Sequence, residues 1–399
     1  MASFCVACSS PVGHAALPLG GAPSARAERP YAVIANFGDW SSPASQPGAG
    51  VVQGRDGAFY GTTVYGGIAD ASYPLGCGAI YRVTSGGKLT PQHEFTCTQG
   101  AGPEAELLAA SDGLLYGSTL DGEGRSSRGL IFSIAPSGRG FRVLHYFGRR
   151  HDGSEPRAAL IELRDGKLYG TTLAGPGPNG TGTIFRMNRD GSGYHIVHAF
   201  RLSEGEEPDV PLLQTKDGML YGTALRGGQP SWAGTIYRAA PDGSNFAVIY
   251  RFAGYTLESP NGGLTLGPNG RLYGEALSNS GAVIFTATRS GHVQVIVDLP
   301  AEDSYPEGGL ALGTDGRFYG TASGGFGTDG AVFAFEQSGE HLRQIHRFHG
   351  APSDGAEPWG RLFQSPTDGR FYGTTVAGGT GACEQFSPPG CGTVFSFNP

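Results

Sequence analysis

The sequence predicts an all-β protein, a seven-bladed β-propeller of four-stranded blades closed by its own N-terminal strand. Three observations carry that reading. A Tyr-Gly pair in a fixed neighbourhood recurs seven times, led by Tyr60, Tyr116, Tyr169, Tyr221, Tyr273, Tyr319 and Tyr372, in steps of 56, 53, 52, 52, 46 and 53 residues. A period near 50 residues marks a repeat architecture in which each copy is one supersecondary unit. An Asp-Gly or Asn-Gly turn stands just upstream of each pair, as at Asp165-Gly166 and Asn269-Gly270. A Gly-x-(Ile/Val)-(Phe/Tyr) run follows, as from Gly182 to Phe185 and from Gly392 to Phe395.

Residues 211–252 show how one unit reads as four strands. Pro211 to Thr215 is the first, and Asp217-Gly218 is expected to close a two-residue hairpin, since Asp-Gly tolerates the positive φ of a type I′ turn. Leu220 to Ala224 is the second strand and Gly234 to Arg238 the third; Pro241-Asp-Gly243 turns the chain into the fourth, Phe246 to Phe252. Each next unit opens with a proline and, four residues on, a leucine or valine, at Pro47, Pro103, Pro156, Pro208, Pro260, Pro306 and Pro358. Four antiparallel strands per unit fit a propeller. The rival, a parallel β-helix, needs shorter coils and has no hairpin turn at each step.

The ends of the repeat body are complementary. It opens with a lone fourth strand, Tyr31 to Phe37, and closes on a lone third strand, Gly392 to Phe397. Pairing the two completes the seventh blade and removes both exposed edges. The repeated tyrosine is read as packing its ring between blades, with its hydroxyl needing a partner. The glycine after it marks a place where another group approaches the strand closely. Both are structural.

Composition narrows the function classes. The 69 glycines fall at fixed places in each repeat rather than in low-complexity runs. A net charge of −7 with dispersed Lys and Arg leaves no basic stripe, so nucleic acid is not an expected partner. No apolar run approaches the ~20 residues of a membrane-spanning helix. The first 30 residues, with Cys5 and Cys8, read as a disordered leader or the remnant of an export signal. The ten histidines form no metal-ligand spacing; His195 and His198, three apart on one strand, are expected on opposite faces. No catalytic-triad, zinc-protease or phosphate-loop motif occurs. Neither a cofactor nor a metal is expected, and a monomer is.

The unit written as Asp165-Gly-Lys-Leu-Tyr-Gly-Thr-Thr172, and again as Asp368-Gly-Arg-Phe-Tyr-Gly-Thr-Thr375, with its downstream Gly-Thr-Ile-Phe run, resembles the Gloeo/Verruco (GloVer) tandem repeat of bacterial proteins. The resemblance covers about nine tenths of the chain. It implies an exported or surface-associated protein and carries over no catalytic residues.

Four cysteines lie in the repeat body. Cys77 opens a third strand and Cys97 follows the end of the adjoining fourth, so antiparallel pairing brings them together; Cys383 and Cys391 bracket one loop. Cysteines at such places in related repeats lend weak support to Cys77–Cys97 and Cys383–Cys391 disulfides. Free buried thiols and a zinc site are the alternatives, although the body has no Cys-x-x-Cys pair.

Propeller topology sends the second-to-third and fourth-to-first connections to one face and the Asp-Gly hairpins to the other. The variable loops are of the first kind, and loops on a rigid scaffold are where function collects. The residue after each linker proline is expected at the channel mouth: Gly48, Glu104, Arg157, Asp209, Asn261, Glu307 and Trp359. Three carboxylates, an arginine, an amide and a tryptophan on one axis suit a sugar or a cationic group; they also read as a solvated rim. Glu275 stands out, because six copies carry Thr or Ser at that place. It is read as a structural carboxylate with Arg271 as the nearby partner. The functional expectation is an exported scaffold binding a glycan or protein at this face. A polysaccharide lyase or hydrolase using the mouth carboxylates with Arg157 is the alternative.

Overall fold

The computed structural model describes residues 30–399 except 39–41, 43, 123–127, 149–151, 177–179, 255–256, 301–304, 306–307, 325–328 and 384–387. The expected leader therefore lies outside the described residues. Seven antiparallel four-stranded sheets form the ring, each running from an inner to an outer strand. In the fourth blade the strands are Leu213–Gln214, Leu220–Ala224, Thr235–Ala239 and Ala247–Arg251. In the seventh, Tyr31–Asn36 pairs with Thr393–Phe397 as the outermost strand, from Tyr31 opposite Phe397 to Asn36 opposite Thr393. The closure read from the two chain ends is the closure observed.

The repeated residues explain the ring. Each Tyr-Gly tyrosine lays its ring against the next blade, with centroids 4.2 Å apart for Tyr273 on Phe318 and for Tyr319 on Phe371. Tyr372 on Phe59, at 3.9 Å, joins the seventh blade to the first. The glycine that follows is forced: a Cβ on Gly373 would stand 2.5 Å from the Phe395 ring, and one on Gly117 2.5 Å from Phe132. The third-strand aromatic of the same blade occupies that space.

The tyrosine hydroxyl finds its partner four residues upstream. Tyr60, Tyr116, Tyr169, Tyr319 and Tyr372 donate to the hairpin carboxylates of Asp56, Asp112, Asp165, Asp315 and Asp368 at 2.6–3.2 Å. The other carboxylate oxygen of each Asp accepts the backbone N–H two residues on, as Asp315 does from Arg317 at 3.1 Å. In the fifth blade Asn269 donates to Tyr273 instead, and the tyrosine passes its own proton to the Gln337 carbonyl, 3.0 Å away.

This Asp contact corrects the expected turn. Gly218 N–H bonds to the Thr215 carbonyl and Thr215 N–H to the Met219 carbonyl, so the loop has three residues, not two. Of Asp217 and Gly218 only the glycine has positive φ, 84°. An Asp whose carboxylate accepts from the second N–H downstream stays right-handed, giving a type I turn followed by a left-handed glycine.

A second correction concerns alternation. The third-to-fourth strand register slips by one residue in all seven blades, in the third blade between Ile184 opposite His198 and Phe185 opposite Ile196. The bulge puts His195 and His198 opposite Arg186 and Ile184, on one side of the sheet rather than two. His198 there stacks on Phe246 of the next blade, centroids 3.5 Å apart, and meets Glu204 at 3.0 Å.

Both disulfides form as paired from the sequence, Cys77–Cys97 with Cα atoms 5.3 Å apart and Cys383–Cys391 with 5.2 Å. The thiol and zinc alternatives fall with them.

Candidate functional site at the channel mouth

The linkers bring their post-proline residues to the axis through a clamp that recurs from blade to blade. The residue before the proline is normally extended. Here Gln46, Glu155, Glu207, Ser259 and Glu357 are left-handed, with φ between 50° and 60°. At Glu155 and Glu357 the clamp satisfies both backbone groups. Glu155 N–H donates to the Arg128 carbonyl of the preceding blade, and its own carbonyl accepts from Leu173; Glu357 does the same with Asp329 and Val376. Strain of this kind persists only where the surroundings over-determine it. Its product is a fixed ring of side chains.

Of the expected mouth residues, Gly48, Glu104, Arg157, Asp209, Asn261 and Trp359 line one continuous opening, while Glu307 lies outside the described residues. An outer cavity of about 690 Å³ adds Gln46, Tyr65 and Glu357. An inner cavity of about 190 Å³ adds a second layer, two residues further along each linker, including Glu106 and Arg361. Sequence reasoning stopped at the first layer. The period of two along an extended segment puts Glu104 and Glu106 on one side and was the signal available for the second.

The charges in this opening are unevenly paired. Arg157 Nε stands 3.6 Å from Glu104. Arg361 is committed elsewhere, donating to the Leu310 carbonyl at 3.2 Å and to Thr265 Oγ1 at 3.1 Å. Asp209 Oδ1 is buried without a hydrogen-bond partner among the described residues. Burial pushes the Asp209 carboxyl up to about 6, with Glu207 adding to the rise and Arg157 and Arg226 opposing it. Burial likewise pushes Glu106 up to about 7 against the pull of Arg361, and raises Glu104 despite Arg157. Behind Asp209, the wholly buried Tyr237 hydroxyl also lacks a partner among the described residues, and burial and then the Asp209 charge push its phenol upward. Trp359 is 43% exposed and offers a flat ring at the rim.

Glu275 is structural, by a different partner from the one expected. Thr62, Ser118 and Thr374 donate to the Ala105, Pro156 and Ala49 carbonyls of the next blade at 2.7–3.2 Å. A carboxylate accepts rather than donates, so Glu275 reaches past the carbonyl position and takes the Gly309 N–H at 3.1 Å. Its length fits because Gly262 leaves the room a Cβ would fill. Arg271 turns its Nε to Thr286 Oγ1, 2.9 Å away.

With the clamp, the seven blades and the Asp–Tyr hairpins in view, the match of residues 46–281 to the Gloeobacter/Verrucomicrobia repeat model has its structural content. The chain belongs to this repeat family. No curated protein is similar to it in sequence. Among solved structures it is similar to an oligogalacturonate lyase from Vibrio parahaemolyticus, with a TM-score of 0.54 and 11% identity, covering 90% of this chain and 89% of that one. A protein from Lactobacillus plantarum matches with a TM-score of 0.51 and 18% identity, over 75% of this chain and 84% of that one. A gluconolactonase from Xanthomonas campestris reaches 0.44 and 16% identity, over 89% and 97%. At such identities the first two share the fold and nothing more is inferred from them. No helix among the described residues is long and apolar enough to cross a membrane.

Proposed function

We propose that this repeat propeller is an exported, monomeric binding scaffold that takes a glycan at its channel mouth. The observation that carries the reading is Trp359, an exposed indole on the rim of an opening whose lining also holds Glu104, Asp209, Glu357, the amides of Gln46 and Asn261, and Arg157, beside Tyr65 and a few small or apolar residues. An aromatic face suits the apolar side of a pyranose, and carboxylates and amides suit its hydroxyls. An outer cavity of about 690 Å³ lies within the range of small-molecule sites. Two disulfides favour an oxidising compartment and hence export.

The second reading is a polysaccharide lyase or hydrolase. It is favoured by the Asp209 carboxyl, pushed up to about 6, where a general acid works near neutral pH. The similarity to a lyase of oligogalacturonate adds only the precedent that a propeller hosts such chemistry. Against a uronate lyase stands Arg157, whose Nε faces Glu104 rather than an empty position awaiting a substrate carboxylate. The test is a glycan-array screen of the purified protein followed by product analysis on each hit. Binding without new reducing ends or unsaturated products supports the scaffold; turnover abolished by Asp209→Asn replaces it with the enzyme; an array without hits overturns both.

A further inference from the structure

We infer that Asp354, tied to His346 and Tyr31, is a positioning residue for Trp359, and that through Tyr31 the closing strand sets how the mouth presents its indole. The consequence for binding rests on the glycan reading; the positioning itself does not. Trp359 is exposed at the rim, so the linker that carries it sets where it stands. That linker is fixed five residues upstream. One oxygen of the buried Asp354 carboxylate accepts from His346 Nε2 at 2.8 Å and from the His349 N–H at 3.1 Å; the other accepts from the Tyr31 hydroxyl at 2.6 Å and the Gly355 N–H at 2.8 Å. Burial alone would raise this carboxyl, but the bonds from His346 and Tyr31 outweigh it and hold it below its ordinary value. Gly355 and Ala356 then pair with Gly378 and Ala377, and the Glu357 clamp follows, so little backbone freedom is left between Asp354 and Trp359.

Three parts of the chain meet at this carboxylate. Tyr31 comes from the closing strand and stacks its ring on His346, centroids 3.4 Å apart. His346 lies on the outer strand of the sixth blade, Arg343–Arg347, and Asp354 on the linker that follows. The same pairing recurs where the mouth presents other side chains. His145 meets Asp152 at 2.9 Å and His198 meets Glu204 at 3.0 Å; these carboxylates stand five residues before Arg157 and Asp209, as Asp354 does before Trp359. The first blade separates the two roles. His93 holds the equivalent strand place, opposite Ile80 as His346 is opposite Val332, and stacks on Phe141 with centroids 4.1 Å apart. Gln99, however, stands five residues before Glu104, and His93 Nε2 is buried without a partner among the described residues. The histidine ring by itself packs the seam between blades, whereas the histidine–carboxylate pair holds the linker. A side chain held in place before its ligand arrives loses less freedom on binding.

The experiment labels the full chain with 5-fluorotryptophan, so that Trp40, Trp232 and Trp359 each give a fluorine resonance, assigned by Trp359→Phe and Trp232→Phe. Tyr31→Phe, which removes one hydroxyl and keeps the ring, and His346→Leu should each move the Trp359 resonance by more than its linewidth while that of Trp232 stays in place. His346→Gln, whose amide can donate to Asp354, should restore the parent position. His198→Leu, on another linker, should leave the Trp359 signal where it is. A Trp359 resonance unmoved in either of the first two variants, or moved as far by His198→Leu, overturns the inference. The binding arm is calorimetric titration with the tetramers of glucose, N-acetylglucosamine and galacturonate. A tetramer that binds the parent should bind His346→Leu at least fivefold more weakly, and that loss should vanish in a Trp359→Ala background. A loss that persists there overturns the inference and leaves the glycan reading standing. Fluorine shifts as expected with no tetramer bound uphold the positioning and count against the glycan.

Discussion

The two faces of the propeller obey different rules. On the hairpin face five blades repeat one arrangement, an Asp carboxylate bridging its own turn to the tyrosine four residues on, and the fifth blade solves the same problem with an asparagine. At the channel mouth the backbone clamp repeats, but the side chain it presents varies from blade to blade, from Gly48 to Arg157 to Trp359. A side chain that completes a hydrogen bond inside its own blade is tied to one chemistry. One that faces the axis is held by its backbone alone, so its chemistry is free. The repeated positions should therefore govern stability and the varied ones binding.

The largest effect should come from closure. Removing residues 1–38 strips the outermost strand from the seventh blade, with the Tyr31 ring on His346 and the buried Phe37. The truncated chain should lose its cooperative thermal transition, and a melting curve that overlays the full chain's would break the closed-ring account. Next, Gly117→Ala drives a methyl into the Phe132 ring and should cost about 1–3 kcal/mol in denaturant unfolding, as overpacking does. Binding should be untouched.

The hairpin face offers a finer cut. Asp315→Ala leaves the Tyr319 hydroxyl and the Arg317 N–H without their acceptor and should cost about 1–2 kcal/mol. Asp315→Asn should cost a few tenths at most, on the order of a surface change, because Asn269 already performs this role in the fifth blade. If the two variants melt together, the carboxylate–tyrosine contact is idle. Conversely, Trp359→Ala at the mouth should stay within about 0.5 kcal/mol of the parent in stability, since the ring is largely exposed, while weakening any bound glycan about tenfold. Loss of binding in Asp56→Asn and Asp315→Asn but not in Trp359→Ala would mean that the functional face is the opposite one.

A separate effect is a pH slope. Glu106 rises on folding from 4.5 to about 7, and Asp209 from 3.8 to about 6. Both hold their protons more tightly when folded, so folding takes up protons across this window and stability declines as pH rises through it. Melting temperatures measured from pH 4.5 to 7.5 should fall in the parent and fall less in Glu106→Gln. A slope unchanged by that substitution would show that Glu106 ionises freely in the channel.

The sequence by itself determined the blade. Every feature of it is local: a turn dipeptide, a tyrosine four residues on, a glycine beside it and an aromatic on the neighbouring strand lie within about 30 residues of one another, and repetition averages out the noise in each copy. The seven-fold count and the joining of Tyr31–Asn36 to Thr393–Phe397 followed from arithmetic on those copies. It also placed six described residues at one opening, because a fixed offset from a repeated proline maps to a fixed position in the ring. Only the tertiary structure decided which charges have partners. Arg271 stands four residues from Glu275 yet turns to Thr286, whereas Gly309, 34 residues away, supplies the N–H. The bulge that brings His195 and His198 to one side and the solitary Asp209 oxygen escaped the sequence for the same reason. Pairing in a ring is set by contacts between strands and between blades, and these depend on geometry that no local spacing encodes.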